Sequence, residues 1–322
     1  MVATAPKNSE AYDLYLRGNF FLHKSDEESL NRALDYFKKS IKNDRSYALP
    51  YAGIANAYVN LADAYLPPKD AYPKAKSAAL KALELDSTIA EARVALAFIL
   101  GAYERDQLSS QREFRRAMEF NPNSTDVLQL SALYLGSRTG SPEAIALADQ
   151  AIALDPLNPF NSWTKEYVLF MARQYDAVIE LHKRTVELDP NFFYSDSWVG
   201  LAYREKGMLN EALDEYTKVQ KLMPGQPLFG LAALYARIGK RQEAKNILRD
   251  LINESTKRYV APTGIAIVYI ALGERDMGFE WLDRAYEAHD AFLHGLKTDV
   301  RFDPVRSDPR YAVLLKKLGF EK

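Results

Sequence analysis

The stretch AIALDP (Ala151–Pro156) is followed by TVELDP (Thr185–Pro190), the same ending 34 residues further along the chain. Related endings are IKNDRS, LELDST, EFNPNS and KLMPGQ, and the prolines at 122, 156, 190 and 224 are each 34 apart. Proline cannot continue a helix and turns the residue before it away from the α region, so each LDP reads as a helix stop. Asp155 and Asp189 favour the turn, and the proline then suits the first turn of the next helix. A stop that recurs at a fixed interval implies repeated helical units stacked on one another rather than one closed core.

The residues between the stops carry a second pattern. One helix of each unit supplies Gly18, Ala55, Ala97, Ala132, Glu166, Gly200, Ala232 and Ala266, small in seven cases of eight. The next helix supplies Ala33, Ala75, Ser110, Ala144, Val178, Ala212, Ala244 and Gly278. Small residues at both places let two backbones cross closely. Three residues after each first-helix small site stands a bulky one: Phe21, Tyr58, Leu100, Leu135, Leu169, Tyr203, Tyr235 or Tyr269. Such wedges bury area against the following unit. Period, helix–turn–helix patterning and small positions together resemble the tetratricopeptide repeat (TPR). The fold expected is all-α, a right-handed superhelical solenoid of about eight helix–turn–helix repeats closed by a C-terminal capping helix.

The expected layout is a disordered segment over 1–9, the array over 10–290 with an insertion near 62–74, and a capping segment over 291–322. Pro67 and Pro68 break any helix in the insertion, so the first helix there is expected to be lengthened and followed by a projecting turn. The string DPVRSDPRYAVLLKKLGF reads as the cap: Ser307 or Asp308 at its start, Pro309 in the first turn, Tyr311, Leu314, Leu315 and Leu318 in one stripe, Gly319 at its end.

Composition narrows function. The net charge is −1, with basic and acidic residues interspersed, so the footprint of a nucleic-acid binder is missing. The chain has no cysteine, which removes disulfides, thiolate nucleophiles and sulfur-held zinc. Neither a signal peptide nor a run of ~18 uncharged apolar residues is present, so a soluble chain without a membrane span is expected.

Strings such as AYDLYLRGNFFLHK, YALPYAGIANAY, LPPKDAYPKAKSAALKALELDS, GLAYREKGMLNEAL and RYVAPTGIAIVYIALGERDMGFEWLDRAYE carry a further resemblance. They are similar to the C-terminal repeat module of bacterial signalling proteins in which a Ser/Thr kinase, an adenylate cyclase or a winged-helix regulator comes first. The resemblance implies a freestanding relative or the sensing part of a longer protein with a covalent N-terminal effector domain. The compartment is then cytoplasmic for the chain as given, and extracytoplasmic if a membrane anchor precedes it.

Enzymatic readings find no support: phosphate-loop, dinucleotide, nucleophile-elbow and zincin strings are all missing. No cofactor, metal or catalytic residue is expected. His289 and His294 do not meet helical ligand spacing and read as solvated. His182 falls where neighbouring repeats carry an aromatic and reads as its packing replacement. The expected function is non-catalytic binding of a protein or peptide in a concave groove lined by the first helices, with a self-associating scaffold as the alternative. Candidate groove residues are Tyr15, Asn19, Asn56, Gln129, Trp163, Tyr167, Phe170, Arg204 and Phe229. Asn19 and Asn56 immediately follow the small site, and an asparagine amide can hold a peptide backbone group from either side. Tyr15, Ala52, Glu91, Val94 and Ala95 stand where a chaperone clamp would need lysines and arginines, which disfavours that ligand. In repeat five, Lys165 and Glu166 occupy packing positions while Trp163, Tyr167 and Phe170 fall toward the groove. Either these rings line the groove, or the helix has slipped by one residue and they are core; core is preferred. Phe192, Phe193, Tyr194 and Trp198 thicken the same aromatic zone.

Overall fold

The computed structural model describes residues 6, 8–24, 26–62, 64–188, 198–222 and 228–320. Helix makes up 78% of the described residues, which sets the class as all-α. The helices run in order as α1 (Ser9–Leu22), α2 (Glu27–Asn43), α3 (Leu49–Leu61), α4 (Pro68–Leu85), α5 (Ala90–Ala102), α6 (Gln107–Phe120), α7 (Thr125–Thr139) and α8 (Pro142–Leu154). They continue as α9 (Pro159–Met171), α10 (Tyr175–Leu188), α11 (Trp198–Glu205), α12 (Leu209–Leu222), α13 (Phe229–Arg237), α14 (Arg241–Ser255), α15 (Pro262–Ala271) and α16 (Arg275–Glu287). Two 3-10 turns, Ala291–Gly295 and Val300–Val305, then lead to α17 (Pro309–Lys317). Among the described residues, odd and even helices pair, giving eight pairs and a terminal helix. The chain divides into two compact units, Met1–Ser131 and Ala132–Lys322, with the boundary inside α7. Asp189, Pro190, Phe192, Phe193, Tyr194 and Pro224 lie outside the described residues.

The helix stops act through side-chain chemistry. Asp44, Asp86 and Asp155 follow the ends of α2, α4 and α8, the first two in extended backbone, each returning its N–H to a carbonyl one turn back. The Asp44 carboxylate accepts from the Ser46 amide and hydroxyl, and Asp86 accepts likewise from Thr88, so the chain is turned into the next first helix. Asp26, Asp106 and Ser141 cap the starts of α2, α6 and α8.

The small sites work as close crossings. In the first unit the Phe37 ring is fully buried between α1 and α3, where a Cβ added to Gly18 or to Gly53 would lie 2.4 Å from it. Ser110 on α6 donates its hydroxyl to the Ala97 carbonyl of α5 at 2.8 Å, a contact only two small residues allow. Glu166 is 4% exposed at the equivalent place on α9, so this helix keeps its register and has not slipped.

The insertion of repeat two differs from expectation. The helix it follows, α3, has 13 residues and is not lengthened; the extra residues extend α4, which has 18 and starts on Pro68. Proline's fixed φ preorganises a first helical position, so the Pro-Pro pair starts a helix instead of holding a projecting turn open. Pro73 sits inside α4.

Between first and second helices, repeats six to eight place Gly207, Gly239 and Gly273 at φ of +78°, +83° and +78°. Repeat five has Arg173 at the corresponding turn, with φ +60°. A Cβ in the left-handed region costs roughly 1 kcal/mol or more, so this arginine is held at an energetic penalty a glycine would avoid.

At the C-terminus, α17 is capped by Asp308, whose carboxylate accepts from the Arg310 amide at 3.0 Å, and Gly319 takes φ +72° after it. Tyr311, Leu314, Leu315 and Leu318 are buried in one cluster with Leu282 and Phe279 of α16 and Ile265 of α15. Leu293, Leu296, Phe302 and Val305 of the preceding turns join that cluster, so the eighth pair is sealed by the whole segment and not by α17 alone.

Candidate functional site

Each unit presents a face built from its first helices. In the first unit, Tyr15 of α1 lies edge-on to Tyr47, with ring centroids 5.5 Å apart, and tilted on Phe37 at 6.0 Å. Burial pushes its hydroxyl up to about 12; Asn19 hydrogen-bonds the side chain, and Glu91 and Asp126 add to the rise. Those two carboxylates come from α5 and α7, so three first helices converge on one tyrosine. His23, just past α1, joins them: its Nδ1 lies 2.8 Å from the Asn19 carbonyl and its Nε2 3.1 Å from Asp126. The Glu91 carboxylate accepts from the Ser124 hydroxyl at 2.8 Å. Asn56 of α3 is 6% exposed, and its side-chain oxygen has no hydrogen-bond partner. Gln129 of α7 is buried as well.

In the second unit, Phe160, Trp163 and Tyr167 of α9 form a parallel stack, with centroids 5.1 and 6.3 Å apart and interplanar angles of 16° and 14°. Trp198 closes the stack from α11, 4.8 Å from Tyr167. Trp163 and Tyr167 are half-buried, whereas Phe170 is 1% exposed. Phe170 is therefore core and leaves the groove list, because Tyr175 and Trp198 pack on it from either side. Arg204 is buried too, tied to Glu205 at 2.7 Å, and Glu205 also takes Arg237 of α13 at 3.3 Å. The Phe229 ring packs on Gly264 of the next first helix, where an added Cβ would come within 2.5 Å. Asn56 and Arg204 are buried where successive first helices pack directly on one another, and Phe229 is half-buried against α15.

The odd residue of repeat five has a structural partner. Glu166 lies 3.3 Å from His182 Nδ1 and accepts from the Thr185 hydroxyl, while His182 Nε2 is 3.7 Å from Glu215 of α12. Burial raises the Glu166 pKa against the hydrogen bonds from His182 and Thr185. Burial works to lower His182, yet Glu166 and Glu215 hold it above its usual value. His182 thus replaces a packing aromatic with a buried ionic contact between helix pairs.

His294 is half-buried instead of solvated. Its ring meets Tyr134 of α7 edge-on at 5.9 Å, and burial, with the Arg138 charge beside it, pushes the imidazole down to about 3. The folded chain keeps this ring neutral, so between about pH 6.5 and about 3 the unfolded chain binds a proton that the folded one refuses. The stability involved is fully present above that window and falls with pH through it, on the order of 1 kcal/mol per pH unit. His294→Asn is expected to shrink the drop in melting temperature between roughly pH 7 and roughly pH 5. Equal drops in the two proteins would contradict the burial.

Among the described residues, no group of three histidines, aspartates or glutamates is placed to hold a metal ion, and no helix is long and apolar enough to cross a membrane.

No family model matches the chain, and no curated protein matches it in sequence. Solved structures do match. The human IFIT1 dimer with m7Gppp-AAAA aligns at a TM-score of 0.61 and 16% identity, covering 86% of this chain and 72% of that one. Yeast Tom70 aligns at 0.52 and 18% identity, over 99% and 69% of the two chains. PilW, a type IV pilus biogenesis factor, aligns at 0.50 and 20% identity, over 63% and 91%. At such identities the likeness is one of fold, and with the 34-residue period and the small-residue crossings it gives this chain the tetratricopeptide-repeat fold.

Proposed function

We propose that the chain is a non-catalytic interaction module that binds an extended peptide on the first-helix face of its first unit. The observation that carries this reading is Asn56: a buried amide oxygen without a donor costs roughly 1–3 kcal/mol, and a peptide N–H would relieve it once the helix packing that covers it opens. Asn19 sits at the same register position on α1, and the carboxylates of Glu91 and Asp126 beside Tyr15 favour a basic residue in the ligand. The strings similar to bacterial signalling modules support a place in such a system, with an effector domain upstream in a longer protein. An exposed stripe of Tyr12, Leu16 and Phe20 along α1 supports the scaffold reading instead.

Asn56→Leu separates structure from function. Replacing an unpaired buried amide by an apolar side chain of similar size is expected to stabilise the free protein by about 1 kcal/mol while weakening peptide binding by about tenfold or more. The measurements are urea denaturation and calorimetric titration with peptides enriched from a displayed random library. No enrichment on the intact chain, or equal affinity for both proteins, would count against the reading.

A further inference from the structure

We propose that the first-helix face of the second unit is a second peptide-binding surface, occupied in cis by the chain's own segment 294–303. The partner it fits is a peptide presenting a hydroxyl side chain and, five residues later, a carboxylate. The proposal rests on the reading of first-helix faces as peptide sites and extends it to a surface whose occupant is already in place.

The segment continues beyond α16, yet it reaches three first helices through contacts that each span more than 100 residues of chain. Thr298 donates its hydroxyl to the Ser137 carbonyl at the end of α7 and lies 3.6 Å from the Met171 sulfur of α9. The Asp303 carboxylate takes both guanidinium nitrogens of Arg173, at 2.7 and 2.8 Å. His294 rests on Tyr134, Val300 packs on the aromatic cluster of α9 and α11, and the Arg301 guanidinium lies 5.8 Å from the Trp198 ring. These are ligand-like contacts: side chains of a short non-α-helical stretch meet pocket residues from several repeats, and a carboxylate meets arginine in the two-pronged geometry that suits it.

Two features argue for a recognition device over simple packing. Arg173 occupies the left-handed turn where repeats six to eight place glycine, a conformation Arg105 shares after α5, and here the residue under that penalty is the one that grips Asp303. The segment is also shaped independently of the face it meets. Asp299 holds Arg301 at 2.7 Å, Arg306 donates to Asp303 at 2.5 Å and to the Tyr311 hydroxyl at 2.8 Å, and Tyr311 donates to the Leu296 carbonyl at 2.6 Å. Burial works against the Asp303 charge, but hydrogen bonds from Arg173 and Arg306 hold its pKa below the ordinary carboxylate value.

The two sides of the segment are held unequally. Leu293, Leu296, Phe302 and Val305 are buried with α15 and α16, whereas Arg173 and Asp303 are 46% and 33% exposed at the rim. A half-exposed ion pair is weak, so a competing peptide can displace the rim contacts while the buried side stays seated. Because the occupant is tethered, a competitor works against a high effective concentration and binds the intact chain poorly.

The test uses a fluorescent synthetic peptide with the sequence of residues 294–306 and the full chain carrying Thr298→Val with Asp303→Ala. In the double variant, amide exchange over 296–304 is expected to quicken about tenfold, and the peptide to bind about tenfold more tightly than to the intact chain. Adding Arg173→Ala should abolish the gain in peptide binding. Unchanged exchange, equal binding to intact and double variant, or a gain that survives Arg173→Ala would each overturn the proposal. Should the double variant lose its cooperative melt, Arg173→Ala alone, which leaves the segment's sequence intact, gives the same exchange readout. Asn56→Leu is expected to leave these results unchanged, so failure here and failure of the first-unit site are told apart.

Discussion

Phe302→Ala is expected to lower the stability of the second unit by roughly 3–5 kcal/mol, the range for deleting a fully buried phenylalanine side chain. The ring is 0% exposed and shares a cluster with Val305, Tyr311, Leu314 and residues of α15 and α16, so its loss leaves a void between the terminal segment and the last helix pair. The neighbours cannot close that void without moving 3-10 turns fixed by Asp299 and by the Arg306–Tyr311 contact. The expected outcome is a large fall in the urea midpoint with helical content retained in the absence of denaturant. A loss below about 1 kcal/mol would mean that the segment lies on the array without sealing it.

Phe37→Ala should cost the first unit a similar amount, roughly 3–5 kcal/mol, for a different geometric reason. Its ring fills the space left by Gly18 on one helix and Gly53 on another, and neither glycine has a side chain that could move into the vacancy. Hydrogen exchange of α1 to α3 reads the loss locally. Rates in α1 to α3 that rise no more than those of a surface variant would show that the small-residue crossings do not depend on their wedge.

The fold was legible because the pattern is local. A close helix crossing demands a small residue whatever lies around it, so Ala97 and Ser110 announce their contact from composition alone. Helix stops at Asp44 and Asp86 are equally local, set by an aspartate turn within a few residues. What the sequence does not encode locally is how far the turns of successive repeats accumulate. Contacts between His23 and Asp126, Thr298 and Ser137, or Arg173 and Asp303 depend on that sum and have no counterpart in spacing. The one available signal was Arg173, standing where three later repeats have glycine. His294 was misread for the same reason: its burial comes from Tyr134, which is remote in the chain. Phe170 and Arg204 fell on groove positions by register, and packing of one first helix on the next enclosed them. Proline at the start of α4 reads as a breaker in sequence, although it is also a good first helical residue.

On the proposed function, peptide is held by the first helices. Hydrogen-exchange footprinting of the intact chain with and without a library-enriched peptide tests it most directly. Protection on binding is expected in α1, α3, α5 and the start of α7, with α2, α4 and α6 unchanged. Protection confined to the second helices would contradict the claim, as would protection along the Tyr12–Leu16–Phe20 stripe that grows with protein concentration and ignores peptide.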